Sequence, residues 1–329
     1  MDAKITKKRL AQMLAYDWLK IVAVILAVIF AWTLLFGMTG TRITPAQQFT
    51  VINYKSNVLL EKTGFANSYQ KAASDKIFSK EVLELKQEDL ARSTSQANLM
   101  LQARVSVAEG DVIVLPNIPD ADSAYERDGQ TLYDSHLQSL MLGYGHLLYN
   151  LDPTAEDGFF KQMERYVYGY YENGQLNEEK VEQDFLARIQ KNKDKRYKNQ
   201  SQIDAGIQAD KERIQKYYDG LTEFYGYVSE GLVSFTRVQA FDRNKEDELL
   251  YDGQYFLNLC PDTSTMGGLS KIFAYEKQEV NEETGATQKV ITAENMHVAF
   301  FKFAEVEEGF AYESLLYINY LIRSVRGTK

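Results

Sequence analysis

Gln96–Asp120, QANLMLQARVSVAEGDVIVLPNIPD, carries the pattern on which the fold turns. Ser95–Ala108 holds Leu99, Leu101, Ala103, Val105 and Val107 in a helix-like setting. Gly110-Asp111 turns the chain, and Asp111–Leu115 is a short apolar run closed by Pro116. A strand buried on both faces of a parallel sheet reads this way, because neither face calls for a polar residue. Upstream, Glu81–Leu85 (EVLEL) alternates as a strand does. Val58–Ser74 carries Leu59, Leu60, Phe65, Tyr69 and Ala72 as a helix would, and Phe49–Tyr54 (FTVINY) is rich in strand formers. Strand, helix, strand, helix, strand is the order of a parallel α/β sheet.

Downstream the pattern becomes helical. Helices are expected over Thr131–Leu151, over the aromatic-rich Phe159–Tyr171, and over Glu178–Gln190, where Val181, Phe185 and Ile189 fall at fourfold spacing. A further stripe runs from Ile203 to Leu232 with its register interrupted at Asp210, after the basic, polar turn KNKDKRYKNQSQ (Lys191–Gln202). Residues 131–235 therefore read as a helical lobe or insertion whose amphipathic faces need a packing partner, and a four-helix arrangement would supply one. Strand signals return at Gln254–Leu259 and Met296–Phe303, separated by a turn-like stretch at Asn281–Lys289, and Glu308–Arg323 closes the chain as a helix. The expected α/β lobe is thus built from 49–130 and 236–329.

Ahead of it, Ile21–Met38 (IVAVILAVIFAWTLLFGM) has no charge, and only Thr33 and Gly37 fall outside the apolar set. As a helix it would span roughly 27 Å, close to the hydrocarbon thickness of a bilayer. The leader before it carries a net +3, against −9 for the whole chain, so −12 follows the span. This asymmetry puts residues 1–18 in the cytoplasm, an anchor at 19–40, a linker at 41–48 and the remainder outside the cell membrane. The apolar run is longer than the core of a cleaved leader, and no small-residue cleavage motif follows it. Localisation is therefore expected to be single-pass, with the C-terminal domain extracellular.

Against this background Gln96–Asp120 resembles the segment of extracytoplasmic solute-binding proteins in which a helix ends, a Gly-Asp turn follows, and a strand presents its carboxyl end to a ligand cleft. Phe49–Asn57 (FTVINYKSN) is similar to their first strand and its loop, and the strand and helix from Met296 resemble their closing elements. The resemblance implies a periplasmic-binding type 2-like fold on a membrane-anchored protein of Gram-positive type. It also implies ligand capture, or an accessory role to an ABC transporter or other envelope complex. The middle of the chain departs from that family, which has a second α/β lobe where this sequence shows helices.

In an open parallel sheet ligands lie beyond the carboxyl ends of the strands. That rule selects Tyr54, Ser56 and Asn57 after the first strand, and Asn117, Asp120 and Asp122 after the third, as ligand-binding candidates. Tyr54 could stack a ring, Ser56 and Asn57 could hydrogen-bond, and the two aspartates could receive a cation; the same residue types are also ordinary turn formers. The partners so implied are the membrane, a small-molecule ligand, and a membrane protein such as a transporter. A non-ligand-binding structural or interaction subunit of a membrane complex is the alternative, and a cell-envelope hydrolase a weaker one.

Other chemistries find little support. The pI near 5.1 argues against nucleic acid, since counterion release from phosphates needs an excess of Lys and Arg. One cysteine, Cys260, leaves neither an intramolecular disulfide nor a Cys-based zinc site. Ser68-Tyr-Gln-Lys71 and Lys62-Thr63-Gly64 match two motifs of penicillin-recognising serine enzymes, but the second should lie far C-terminal of the first and here precedes it. Asp120, Asp122 and Asp128-Gly129 lack the remaining ligands of a calcium loop. His136, His146 and His297 read as structural, and neither cofactor, metal nor catalytic activity is expected. Tyr166, Tyr168, Tyr170 and Tyr171 read as core packing rather than a recognition surface.

Overall fold

The computed structural model describes residues 7–39, 48–56, 76–79, 84–90, 94–243, 245, 247–280, 286–303 and 310–326. The chain forms two compact units, Met1–Thr44 and Pro45–Lys329. The first contains one unbroken helix, α1 (Lys7–Thr39). Every described side chain of its run Val22–Leu34 is exposed, and none is charged. Counted over described residues, no helix is long and apolar enough to cross a membrane; that run of thirteen residues covers only roughly 20 Å.

The second unit is built on a six-stranded sheet in the order β2-β1-β3-β12-β9-β8. Its strands are β1 (Gln48–Tyr54), β2 (Glu84–Leu90), β3 (Val112–Pro116), β8 (Ser234–Asp242), β9 (Glu248–Asn258) and β12 (Met296–Phe300). β1 pairs in parallel with β2 and β3, as the sequence pattern implies. The other pairings, β3 with β12, β12 with β9 and β9 with β8, are antiparallel. The sheet is therefore mixed rather than wholly parallel. β8 was unforeseen because Leu232 extends the preceding helical stripe, and only pairing with β9 reveals a strand at its end.

Alternation along the strands feeds two cores, one on each face. Phe49, Val51, Val112, Val114, Val298 and Phe300 point to one side, where they meet α4 (Phe159–Tyr168), the second half of α6 (Gln200–Ser229) and α7 (Glu313–Val325). Ile52, Tyr54, Ile113, Leu115, Ala299 and Phe301 point to the other, towards α2 (Thr94–Ser106) and α3 (His136–Tyr144). Val112–Leu115 are completely buried, which is why that run tolerates no polar residue.

The helix expected from Thr131 starts later. Gln130–Ser135 is a strand, β5, paired with β4 (Pro119–Arg127). Asp128 and Gly129 both take positive φ, 51° and 76°, in the two-residue turn between them. A tight hairpin turn with two left-handed residues favours Asp-Gly, so the Asp128-Gly129 considered for calcium is turn chemistry. α3 then begins at a reciprocal cap: the Ser135 hydroxyl accepts from the Gln138 amide, and the Gln138 side chain accepts from the Ser135 amide.

Within 131–235, α4 and the end of α6 belong to the main core. α5 (Glu178–Asn192) and the first half of α6 instead pair with each other and form an arm. There Phe185 meets Tyr197 edge-on at 5.0 Å, over Gly206. Asp210, where the apolar stripe breaks, is buried and receives both Arg188 and Arg213. Three hairpins complete the described strands: β4–β5, β6 (Tyr171–Glu172) with β7 (Gln175–Leu176), and β10 (Tyr275–Val280) with β11 (Thr287–Thr292). The helix expected over Val58–Ser74 lies outside the described residues.

Candidate functional site

At the carboxyl end of β1 the chain turns through Lys55, which has a φ of 53°. A non-glycine residue in the left-handed region is uncommon, and here it directs the side chain inward. The Lys55 ammonium lies 2.6 Å from Asp120 Oδ2 and 3.6 Å from Asp122 Oδ2, 5.7 Å from the centre of the Tyr54 ring. Lys55 and Asp120 are both almost fully buried. Burial alone would raise the Asp120 carboxyl, but the Lys55 ammonium holds it below the usual carboxylate range.

The neighbouring candidates are also engaged. Tyr54 is buried and its hydroxyl donates to Asn98 on α2; burial and the nearby Asp120 push it well above the ordinary phenol range. Ser56 is fully buried, and its hydroxyl accepts from the Asn53 amide at 3.0 Å. That same amide reaches Asp89 on β2 at 2.8 Å. Asp122 is exposed, and its backbone amide donates to Asp120 Oδ1 at 3.2 Å. Asn57 lies outside the described residues.

His136, the first residue of α3, is the member of this cluster that sequence reasoning treated as merely structural. Its Nε2 lies 3.9 Å from Asp120 Oδ1, too far for a hydrogen bond. Burial pushes its pKa down to about 4, with Lys55 opposing a second positive charge and Asp120 favouring it. The ring is therefore neutral at physiological pH. Lys55 was overlooked because a lysine in a loop ordinarily points to water; its one signal was its position, immediately after a strand whose carboxyl end faces two aspartates.

Asn117 sits apart from the cluster. It is exposed and lines a groove of about 510 Å³ together with Ser135, Gln138, Arg237, Gln239 and Phe241. Gln138 Nε2 donates across it to the Gln239 carbonyl at 3.0 Å, tying α3 to the edge strand β8. The structure thus brings Tyr54, Ser56, Asp120 and Asp122 together and leaves Asn117 on another surface.

His297 and Cys260 hold structural positions. His297 donates from Nδ1 to the Asn295 carbonyl at 2.7 Å and accepts from the Thr236 hydroxyl at 3.0 Å, and burial lowers its pKa to about 4. Cys260 is fully buried, which pushes its thiol up to about 11 and removes the thiolate a nucleophile would need. The serine and lysine of the S-x-x-K match, and the K-T-G match, lie outside the described residues. Among the described residues no group of three or more His, Cys, Asp or Glu side chains could hold a metal ion.

The tyrosine cluster divides. Tyr166 turns inward against Tyr217 and Tyr312, as core packing requires. Tyr168 is exposed and meets Tyr218, which stacks on Tyr171 at 4.2 Å. In comparisons with family models, curated proteins and solved structures the chain matches none, so its site is read from its own geometry.

Proposed function

We propose that the chain is a membrane-tethered, extracytoplasmic interaction subunit, a solute-binding-like lobe that engages another component of a membrane complex instead of capturing a small solute. One observation carries this reading. The place beyond β1 and β3 where a ligand would lie is taken by the chain's own Lys55 ammonium, sealed against Asp120. The single six-stranded sheet supports it as well, since among the described residues there is no second large sheet to close a clamp.

The tether is supported by α1, whose helix is unbroken from Lys7 to Thr39 and whose exposed run Val22–Leu34 has no charge. Apolar side chains without protein cover favour lipid. The basic leader orients the helix with its N-terminus inside. Anchoring keeps the domain at high local concentration beside a membrane partner.

Calorimetric titration of the purified full chain with amino acids, sugars, short peptides and divalent metals is expected to give no saturable heat. In-cell crosslinking is expected to recover one stoichiometric membrane partner. Saturable binding of any of these solutes that disappears in Lys55→Met would overturn the reading. Protease added to intact cells should remove the C-terminal domain; full protection would refute the orientation.

A further inference from the structure

The cations of the second unit are for the most part spoken for. Lys55, Arg104, Arg243 and Lys277 each hold two carboxylates. The tip of the arm is different. Between the end of α5 and the start of α6, residues 191–198 (KNKDKRYK) place five cations and one acid in eight positions. Asp194, that acid, is engaged by Arg196 at 2.6 Å. Lys191, Lys193, Lys195 and Lys198 are exposed, and among the described residues no carboxylate lies within ion-pair distance of their ammonium groups. The charge is local, on a chain whose total is −9.

The same tip has an apolar side. A groove of about 390 Å³ is lined by Leu186, Ile189, Gln190, Lys193, Asp194 and Tyr197. Leu186 is 38 % exposed, although it sits one position from the buried Phe185. Lys193 on the lining, with three further exposed lysines in the same turn, and an aliphatic and tyrosine-lined groove combine the two attractions of an interfacial site, charge for phosphates and apolar surface for the glycerol and upper acyl region.

We propose that the tip of the arm is a docking site for an anionic phospholipid surface. Lys191, Lys193, Lys195 and Lys198 meet the phosphodiester headgroups, while Leu186, Ile189 and Tyr197 enter the boundary below them. A soluble polyanion would approach the acidic chain as a whole and be repelled by it. A surface is met by the tip alone, and the rest of the charge is screened beyond about 8 Å at physiological salt. The proposal rests on the tethered reading for its proximity to a bilayer, and its test separates the two.

The full chain carrying Asn192→Cys is labelled with an environment-sensitive dye and reconstituted into vesicles of phosphatidylcholine alone or mixed with phosphatidylglycerol. Cys260 is fully buried and stays unlabelled. The expected result is a blue shift with the anionic vesicles only, reversed by added salt. Replacing the four lysines by Gln is expected to abolish it, each lowering the docked-to-free ratio roughly fivefold. An unshifted circular dichroism spectrum and melting temperature show that the variant keeps its fold. Equal dye signals in neutral and anionic vesicles, or a signal that survives the lysine replacements, overturn the proposal. An equal response to soluble polyphosphate overturns its assignment to lipid. Failure of the chain to float with neutral vesicles strikes the tether instead, and the tip is then read by adding anionic vesicles to the unanchored chain.

Discussion

Lys55, at the carboxyl end of β1, is buried between Asp120 and Asp122, whereas Lys191, Lys193, Lys195 and Lys198, at the tip of the arm, stand in solvent with no carboxylate of the described residues in reach. The side chain is the same and the surroundings decide its role. An ammonium withdrawn from water must be paired, so Lys55 is committed to the interior and closes the site beside it. A solvated ammonium costs the fold nothing and remains open to a partner. In the region that looked like a binding site from the strand pattern the lysine charge is therefore paired within the protein, and the turn that looked like a connector keeps its charges available.

The largest expected effect breaks the buried half of that contrast. Lys55→Met leaves Asp120 buried without its cation and should cost about 3–5 kcal/mol in denaturant unfolding. The double variant Lys55→Met/Asp120→Leu should recover most of that loss, because no charge is then left buried. A single variant as stable as the parent would show that the pair does not seal the site. Next comes the arm. A methyl group on Gly206 would lie 2.6 Å from the Tyr197 ring and closer still to Phe185. Gly206→Ala should therefore cost about 1–3 kcal/mol by overpacking. Hydrogen exchange should speed up in α5 and the first half of α6 while β1, β3 and β12 keep their protection; uniform loosening would mean that the arm is not a separate packing unit.

The response to pH sharpens the comparison further, since the titrating groups lie in the body. Burial lowers His136 and His297 from 6.5 to about 4. The unfolded chain takes up those protons first, so their contribution is full above pH 6.5 and lost as pH falls towards 4. Asp111 runs the other way. Burial raises its carboxyl from 3.8 to about 7, against a hydrogen bond from the Thr50 amide at 2.7 Å. Its contribution is full below pH 3.8 and lost as pH rises through 7. Between pH 4 and pH 7 the two losses oppose each other, so Asp111→Asn should make the rise in melting temperature over that range steeper than in the parent; an unchanged slope would mean that Asp111 does not titrate there. The smallest effect belongs to the tip, where Lys191→Gln/Lys195→Gln should leave the melting temperature unaltered. A measurable loss there would mean that those lysines carry structure.

Several features could be read before any coordinates. Phe49–Tyr54 and Val112–Leu115 declare themselves as strands because both of their faces are buried. Val181 and Phe185 mark the inner face of α5 at helical spacing. Other features could not. Thr131–Ser135 continues a mixed apolar pattern into α3, and only its pairing with β4 and the reciprocal Ser135–Gln138 cap separate the strand from the helix. β8 and the part of β9 ahead of Gln254 become strands through their long antiparallel pairing, whereas the strand expected from Gln254 is present. Of the candidate site, position was legible and satisfaction was not. Tyr54, Ser56 and Asp120 lie where the strand ends put them, yet Asn98, Asn53 and Lys55 engage them from positions that no spacing rule connects.

By itself the amino-acid sequence determined which segments bury apolar faces, where the charges concentrate, and that one uncharged run stands ahead of an acidic domain, since periodicity and composition act locally along the chain. Tertiary structure alone decided that the sheet is mixed, that Asp210 joins the arm instead of breaking a helix, and that Lys55 fills the space beyond β1. Those outcomes depend on which distant side chains share a buried volume, and in a low-dielectric interior that pairing decides whether a charge is available to a partner.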